Sequence, residues 1–390
     1  MLGLIAVAMI ASMAPWFAAS ASAVAIEREL GLSVTQAAWL TMMVQLGFVA
    51  GTLTIAATGA ADAFRAPTLM TAGGLIAAVS TAALAYAESP AVLLALRFAA
   101  GAGMAAIYPP GMKLAASWFR ERRGLALGVI VGALAIGKAV PYLLAALTSD
   151  WRSQVWMLAI ATAGGVLLIA AFAREGPFAA AAARLDPHAI RQVLGQRETR
   201  LATLGYLGHM WELYAMWTWF GAFAAAGFAA SGVSGAARAG SLAGFIAIAA
   251  GAAGAIAAGH WADRYGRVSV ASASLVVSGA CCLAAGLFFG APIWAVYVLA
   301  IVWGFSVVSD SAQFSALVTE HSPRAHVGTA LTLQTCAGFL LTTISMRWLP
   351  SLASDYGWQW VFLLLVPGPL AGLVAMRQLK LRTENAKLRT

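Results

Sequence analysis

Apolar residues run along this chain in long unbroken stretches, separated by short polar loops. The stretches lie at 2–24, 35–57, 67–87, 90–112, 124–147, 154–173, 201–226, 238–258, 268–289, 292–317, 327–348 and 358–376. Each reaches the roughly 20 residues that a helix needs to cross a bilayer. The pattern predicts an all-α integral membrane protein with twelve transmembrane helices. Gly and Ala recur inside the stretches, and small residues let helices approach closely in lipid. The first stretch ends in small residues (Ser20, Ala21, Ser22, Ala23), as a cleaved leader does. It has no basic residue before Arg28 and is longer than the usual ~7–15 residue leader core, so it is read as the first span.

Short echoes divide the pattern into two halves. Ser149-Asp150-Trp151 returns as Ser354-Asp355-Tyr356, Gly124-Leu125-Ala126-Leu127 as Gly328-Thr329-Ala330-Leu331, and Asp62-Ala63-Phe64 as Asp263-Arg264-Tyr265, all at nearly one offset. The expected organisation is a six-helix bundle over 1–173, a cytoplasmic linker over 174–200 carrying Pro177 and Pro187, a second six-helix bundle over 201–376, and a cytoplasmic tail over 377–390.

Composition agrees with lipid and excludes a soluble domain. Hydrophobic residues make up 61% of the 390 and charged residues 10%, with a mean hydropathy of +0.82. Soluble domains carry about 25% charged residues. The net charge of +9 resides in short loops, so it points to membrane orientation and not to nucleic acid. Most Lys and Arg fall on one set of alternate loops. Only Arg28, Arg152, Arg238 and Arg347 fall on the other, while Arg97 and Lys138 lie inside spans. This bias puts both termini in the cytoplasm. The three cysteines, Cys281, Cys282 and Cys336, lie in apolar runs without disulfide spacing and read as small core residues.

Ionised residues inside spans cost roughly 2.5–3.5 kcal/mol each and normally face a cavity or a partner. Arg97 in span four is either a coupling charge in a cavity or a brace tied to backbone carbonyls. Lys138, near the middle of span five and three residues before Pro141, is placed to hold an anionic group. His209 and Glu212 in span seven share a face at i, i+3 and form a candidate proton-coupling pair, or else a hydrogen-bonded brace. Trp211 and Tyr214 flank them and either stack on substrate or anchor packing. In span ten, Asp310 and Gln313 sit among Ser309, Ser311 and Ser315, a density that suits a water-lined wall or an interhelical clamp. Glu320 and His321 read as solvated loop residues. Met9, Met13, His209, Met210 and Met216 admit a Cu(I) cargo, although methionine is also a common apolar filler. No P-loop and no H-E-x-x-H is present, so neither ATP hydrolysis nor zinc-protease chemistry is expected.

The stretch Gly259-His260-Trp261-Ala262-Asp263-Arg264-Tyr265-Gly266-Arg267 resembles the signature loop of the major facilitator superfamily, G-x-x-x-D-R-x-G-R. Trp118-Phe119-Arg120-Glu121-Arg122-Arg123-Gly124 is similar to the family's loop between spans four and five. Arg97 with Gly101 and Gly103 is similar to its span-four pattern. The first-half copy of the signature keeps Asp62 and Arg65 but displaces its glycines. Span five departs from the G-x-x-x-G-P of drug antiporters, because Gly137 is followed by Lys138 and the proline comes at 141. Glu29-Leu30-Gly31-Leu32-Ser33 leading into Trp39-Leu40-Thr41, with Gly47 and Gly51, resembles anion or nitrate/nitrite-type permeases. The doubled-glycine nitrate signature is not evident.

The resemblance implies the two-bundle major facilitator fold and an alternating-access secondary transporter, not an enzyme. Its expected gating residues are Asp62, Arg65, Gly259, Asp263, Arg264, Gly266 and Arg267. Together with the charges above, the expected cargo is a small anionic or zwitterionic solute. Arg97, Lys138, Trp211, Tyr214, Asp310 and Gln313 are the binding candidates, and His209, Glu212 and Asp310 the proton-coupling candidates. Proton-driven export of cationic or amphipathic drugs is the alternative, with a Cu(I) permease or a non-transporting membrane sensor behind it. No cofactor, metal or nucleic-acid partner is called for. The expected setting is a monomer in a bacterial inner membrane.

Overall fold

The computed structural model describes residues 1–119, 123–178, 189–323 and 326–387, with the side chains of 34, 35, 62, 123, 124 and 385–387 left out. The described residues contain no strand. That suits lipid, where a chain that does not close into a barrel can satisfy its backbone polar groups only within helices. Twelve helices among them are long and apolar enough to span a bilayer. They are α1 Leu2–Ala21, α2 Gln36–Thr58, α3 Ala66–Leu84, α4 Pro90–Ala116, α5 Leu125–Leu147, α6 Trp151–Phe172, α7 Arg197–Ala230, α8 Ala236–Tyr265, α9 Arg267–Phe288, α10 Ile293–His321, α11 Val327–Tyr356 and α12 Val361–Glu384.

Several helices outrun the apolar stretches that announced them. The apolar count measures hydrocarbon thickness, and a helix continues past it as long as its backbone bonds hold. Thus α7 begins at Arg197 and not at 201, and the last helix continues to Lys387 through most of the stretch expected as a tail. Within the linker, Ile190–Gly195 is helical, and residues 179–188, including Arg184 and Pro187, lie outside the described residues. Its start is docked on the end of α4, where the Gly176 amide donates to Ser117 Oγ at 2.8 Å and Trp118 Nε1 donates to the Arg174 carbonyl at 2.8 Å.

Helix packing runs mainly within α1–α6 and within α7–α12. The two groups meet chiefly through α5 against α8 and α2 against α11. Close approach inside the first group depends on glycine. A Cβ on Gly47 would lie 2.0 Å from the Phe98 carbonyl oxygen, and one on Gly101 would lie 2.0 Å from that of Val44, so α2 and α4 are locked face to face. Neither obstacle is a side chain that can swing away. Gly101→Ala is therefore expected to lower the melting temperature and folded yield, at the ~1–3 kcal/mol typical of overpacking. A wild-type melting temperature would show that α2 and α4 can separate freely.

Opposite the termini, the helix Ala23–Leu30 is tied to the start of α6. Trp151 Nε1 donates to Glu29 at 2.6 Å, and Arg152 pairs with the same carboxylate. These two donors, Arg152 first, hold the Glu29 carboxyl below the usual carboxylate range. A lowered folded-state value stabilises above the ordinary carboxylate pKa and is lost as pH falls through the folded value. The protection of Ala23–Leu30 against hydrogen exchange, relative to the intrinsic rate at each pH, is accordingly expected to fall in acid and to be constant above about pH 5; Glu29→Gln should abolish that dependence.

Candidate functional site

A cavity of about 1100 Å³ lies between the two helix groups. Its mouth is lined by Ala61, Ala66, Asp263, Arg267, Glu320 and Val327, on the side of the molecule that carries both termini. Its inner end is lined by Lys138, Tyr206, His209, Tyr214, Trp217 and Phe339. The far side is sealed by contacts between the halves. Thr342 of α11 donates to Gln45 Oε1 of α2, and Gln45 Nε2 donates to Met346 Sδ at 3.1 Å. The Tyr142 hydroxyl of α5 donates to the Trp217 carbonyl of α7 at 2.8 Å.

Lys138 stands at the inner end and is 2% exposed. Its helix can bring it there because Gly137, the residue before it, lets α5 ride against α1. A Cβ on Gly137 would lie 2.5 Å from the Ile10 carbonyl oxygen. The Lys138 ammonium lies 3.8 Å from the ring centroid of Trp16, 4.7 Å from Tyr214 and 5.7 Å from Trp217, and it donates to the Tyr214 hydroxyl. Among the described residues no carboxylate pairs with it.

His209 of α7 faces α10. Its Nδ1 is 2.8 Å from Asp310 Oδ1, although the contact is out of line for a hydrogen bond, and its Nε2 is 2.9 Å from Ser311 Oγ. Asp310 marks a break in α10, between the helical segments Ile293–Ser309 and Ser311–His321. Ser311, His209 and Gln313 line the cavity, whereas Asp310 sits behind them at 1% exposure. Ser311 and His209 thus stand between the cavity and Asp310.

The expected pairing of His209 with Glu212 is not what the structure shows. Residues at i, i+3 are offset around the helix, and here the offset sends them to different neighbours. Glu212 is fully buried and accepts from Trp303 Nε1 at 2.6 Å, Ser278 Oγ at 2.9 Å and Cys282 Sγ at 3.3 Å, tying α7 to α9 and α10. It does not line the cavity.

Two other binding candidates also lie away from the cavity lining. Trp211 Nε1 donates to the Leu364 carbonyl at 2.9 Å and its ring meets Trp348, so it anchors packing. Arg97 is fully buried. Its Nε donates to the Leu40 carbonyl at 3.1 Å, Nη1 to Pro15 at 2.8 Å and Nη2 to Trp16 at 2.5 Å. The last two carbonyls belong to Ala14–Phe17, where α1 narrows to a 3-10 turn around Pro15. A proline inside a span frees backbone groups that neighbours must satisfy. The carbonyl that Pro15 orphans, Ala11, accepts from Thr162 Oγ1 at 3.2 Å, while the Arg97 fork takes carbonyls of the turn itself and fixes Trp16 beneath Lys138.

The signature stretch 259–267 is not an open hinge. Helix α8 continues through Tyr265, and the turn is confined to Gly266, whose φ of +83° suits glycine. Gly259 has open space around its Cα. Asp263 lines the cavity mouth, Arg264 lies over the Tyr265 ring at 5.4 Å, and Arg267 Nε pairs with Glu320 at 2.6 Å. In the first half, Arg65 Nε is 3.8 Å from Glu175, and the Asp62 side chain lies outside the described residues, as do Arg120, Glu121 and Arg122 of the second loop motif. The Arg65 pair ties the turn before α3 to the start of the linker, and the Arg267 pair joins α9 to α10. Met9 and Met13 are fully buried in the hydrophobic core, and among the described residues no group of three or more His, Cys, Asp or Glu is arranged to hold a metal.

Sequence reasoning missed Trp16, Gln45, Tyr142, Ser278, Trp303 and Thr342. The available signals were Pro15 ahead of Trp16, and polar Gln45 and Thr342 within apolar runs.

Twelve spanning helices in two groups around a central cavity define a multi-pass membrane transporter. The chain matches the Major Facilitator Superfamily over residues 4–239 and again over 234–389, and it belongs to that family. It is a secondary transporter, from a family whose members generally carry solutes and do not catalyse reactions. No curated protein matches the chain.

Proposed function

We propose that this transporter carries a small anionic or zwitterionic solute, bound at Lys138 and coupled to a proton carried by His209 and Asp310. The observation that supports it is a buried ammonium without a carboxylate partner, at the inner end of the cavity. Burying an ion costs several kcal/mol, and desolvated cation–π contacts return only about 2 kcal/mol or somewhat more. An anionic cargo supplies the missing counter-charge. The positive-inside bias places both termini, and hence the cavity mouth, on the cytoplasmic side of a bacterial inner membrane. The open mouth and sealed far side then correspond to an inward-facing state, and the outward-facing state arises when the halves rock about α5–α8 and α2–α11. The six-helix bundles 1–173 and 201–376 are the moving units, and the transporter acts as a monomer.

Drug export would require an acid in the cavity to hold a cation. Glu212 is spent on three donors away from the cavity, Asp310 stands behind His209, and the acids that do line the cavity, Asp263 and Glu320, are at its mouth, far from the inner end, which weakens that alternative.

A melting-temperature screen of purified protein separates the two, because ligands that bind the folded state stabilise it by mass action. Paired small anions and amines are the probes. Anions are expected to raise the melting temperature of the wild type and not of Lys138→Gln. Stabilisation by amines alone would reverse the charge assignment. For coupling, Asp310→Asn is expected to abolish accumulation driven by a pH gradient in proteoliposomes while solute exchange continues. Glu212→Gln should retain both. Accumulation that survives Asp310→Asn and fails in Glu212→Gln would move the proton to Glu212 of α7.

A further inference from the structure

We infer that the cargo is a flat, singly charged organic carboxylate with an aromatic or similarly unsaturated body. This rests on the anion site proposed above and specifies what fills it. Around Lys138 the cavity offers more donors than acceptors, and the one buried, unpartnered side-chain carbonyl on the described lining, Gln313 Oε1, is on α10. The Lys138 ammonium has three N–H groups and one partner, the Tyr214 hydroxyl, whose own proton has no acceptor. Trp217 lines the same space, and its indole N–H is buried without a partner; the N–H of Trp16, whose ring lies under the ammonium just behind the lining, is likewise unpartnered. Indole N–H groups donate and never accept, so a ligand end with several acceptor oxygens fits and an amine or amide N–H does not.

The walls next to these donors are aromatic. Tyr214 meets Phe339 at 5.1 Å between ring centroids and Trp217 at 5.5 Å, and Tyr206 lines the cavity beside them. Ring faces carry negative potential, so they repel a bare anion and welcome the positive edge of another ring. A small inorganic oxyanion would lose its water to these faces without compensation. A carboxylate confined to the donor corner, with a flat apolar body among the rings, meets both demands. One lysine matches one negative charge. The other cations on the lining are at the mouth and already engaged, Lys113 with the Ala61 carbonyl at 3.0 Å and Arg267 with Glu320.

Equilibrium binding to the full-length protein in nanodiscs tests this with benzoate, cyclohexanecarboxylate, acetate, nitrate and benzylamine. Benzoate is expected to bind about tenfold more tightly than cyclohexanecarboxylate, acetate or nitrate. Phe339→Leu, which removes a wall ring and no donor, should shrink that preference. If acetate, cyclohexanecarboxylate or nitrate binds as tightly as benzoate, the flat-carboxylate inference is overturned and the anion site stands. If benzylamine binds and no anion does, or if no probe binds, both fall.

Discussion

Lys138→Gln is expected to abolish anion-induced stabilisation without harming the fold. Removing one member of a desolvated charge pair costs ~2–5 kcal/mol, which weakens anion binding about 30- to 3000-fold. In the absence of ligand the sign is different. Glutamine no longer buries a charge that lacks a carboxylate partner, so the ligand-free melting temperature should equal or exceed that of the wild type. A brace would behave in the opposite way, losing stability and keeping affinity. Thermal melting and binding measured on the same preparation distinguish the two, and a destabilised variant with wild-type affinity would remove Lys138 from the site.

Arg97→Lys is expected to give that brace signature. The charge stays buried, but a single ammonium cannot reproduce the fork that reaches Leu40, Pro15 and Trp16. Losing two charge-assisted bonds at about 1.5 kcal/mol each amounts to ~3 kcal/mol. The expected result is a marked drop in folded yield by size-exclusion chromatography, with anion affinity retained in the surviving fraction to within a few fold of wild type. Unchanged yield together with lost binding would place the guanidinium on the transport path.

The contrast between these residues shows what the sequence made legible. Spans were visible because lipid imposes a length and a composition on every helix. Lys138 was visible because a lysine near the middle of a span is too central to reach water by stretching. Arg97 looked equivalent in the same terms. Its actual partners are the Leu40 carbonyl and those of Pro15 and Trp16 in the turn where α1 narrows, and neither a composition nor a motif reports a carbonyl's direction. The pairing of His209 was misread for a related reason. Spacing along α7 places His209 near Glu212, but which neighbour each side chain meets depends on where α9 and α10 cross. The glycines of spans two and four show the reverse limit. Gly47 and Gly101 were noticed as family-like positions, and in the structure they serve the close contact of α2 with α4. The signature stretch was read as a loop because its residues fall between two apolar runs, whereas α8 simply extends beyond the hydrocarbon to Tyr265 and turns at Gly266.

Glu212 illustrates how burial alone misleads about coupling. It is the most enclosed acid of the second half, with three donors converging on it. Enclosure of that kind favours rigidity, since each donor would have to let go for a proton to pass. Asp310 is equally buried but adjoins a histidine that touches the cavity through Ser311. In the proposed coupling, proton access, not depth, separates the two acids.

Spin labels at Ala61→Cys and Thr319→Cys, on opposite sides of the cavity mouth, measure the central claim most directly. The native Cys281, Cys282 and Cys336 would be replaced by serine, and the separation read by pulsed electron resonance, with and without the anion of largest thermal shift. The expected result is a wide separation that gains a shorter population when the anion binds, and no such change in the Lys138→Gln background. A separation unmoved by an anion that demonstrably binds, or a shortening that persists without Lys138, would contradict a lysine-held cargo that closes two rocking halves.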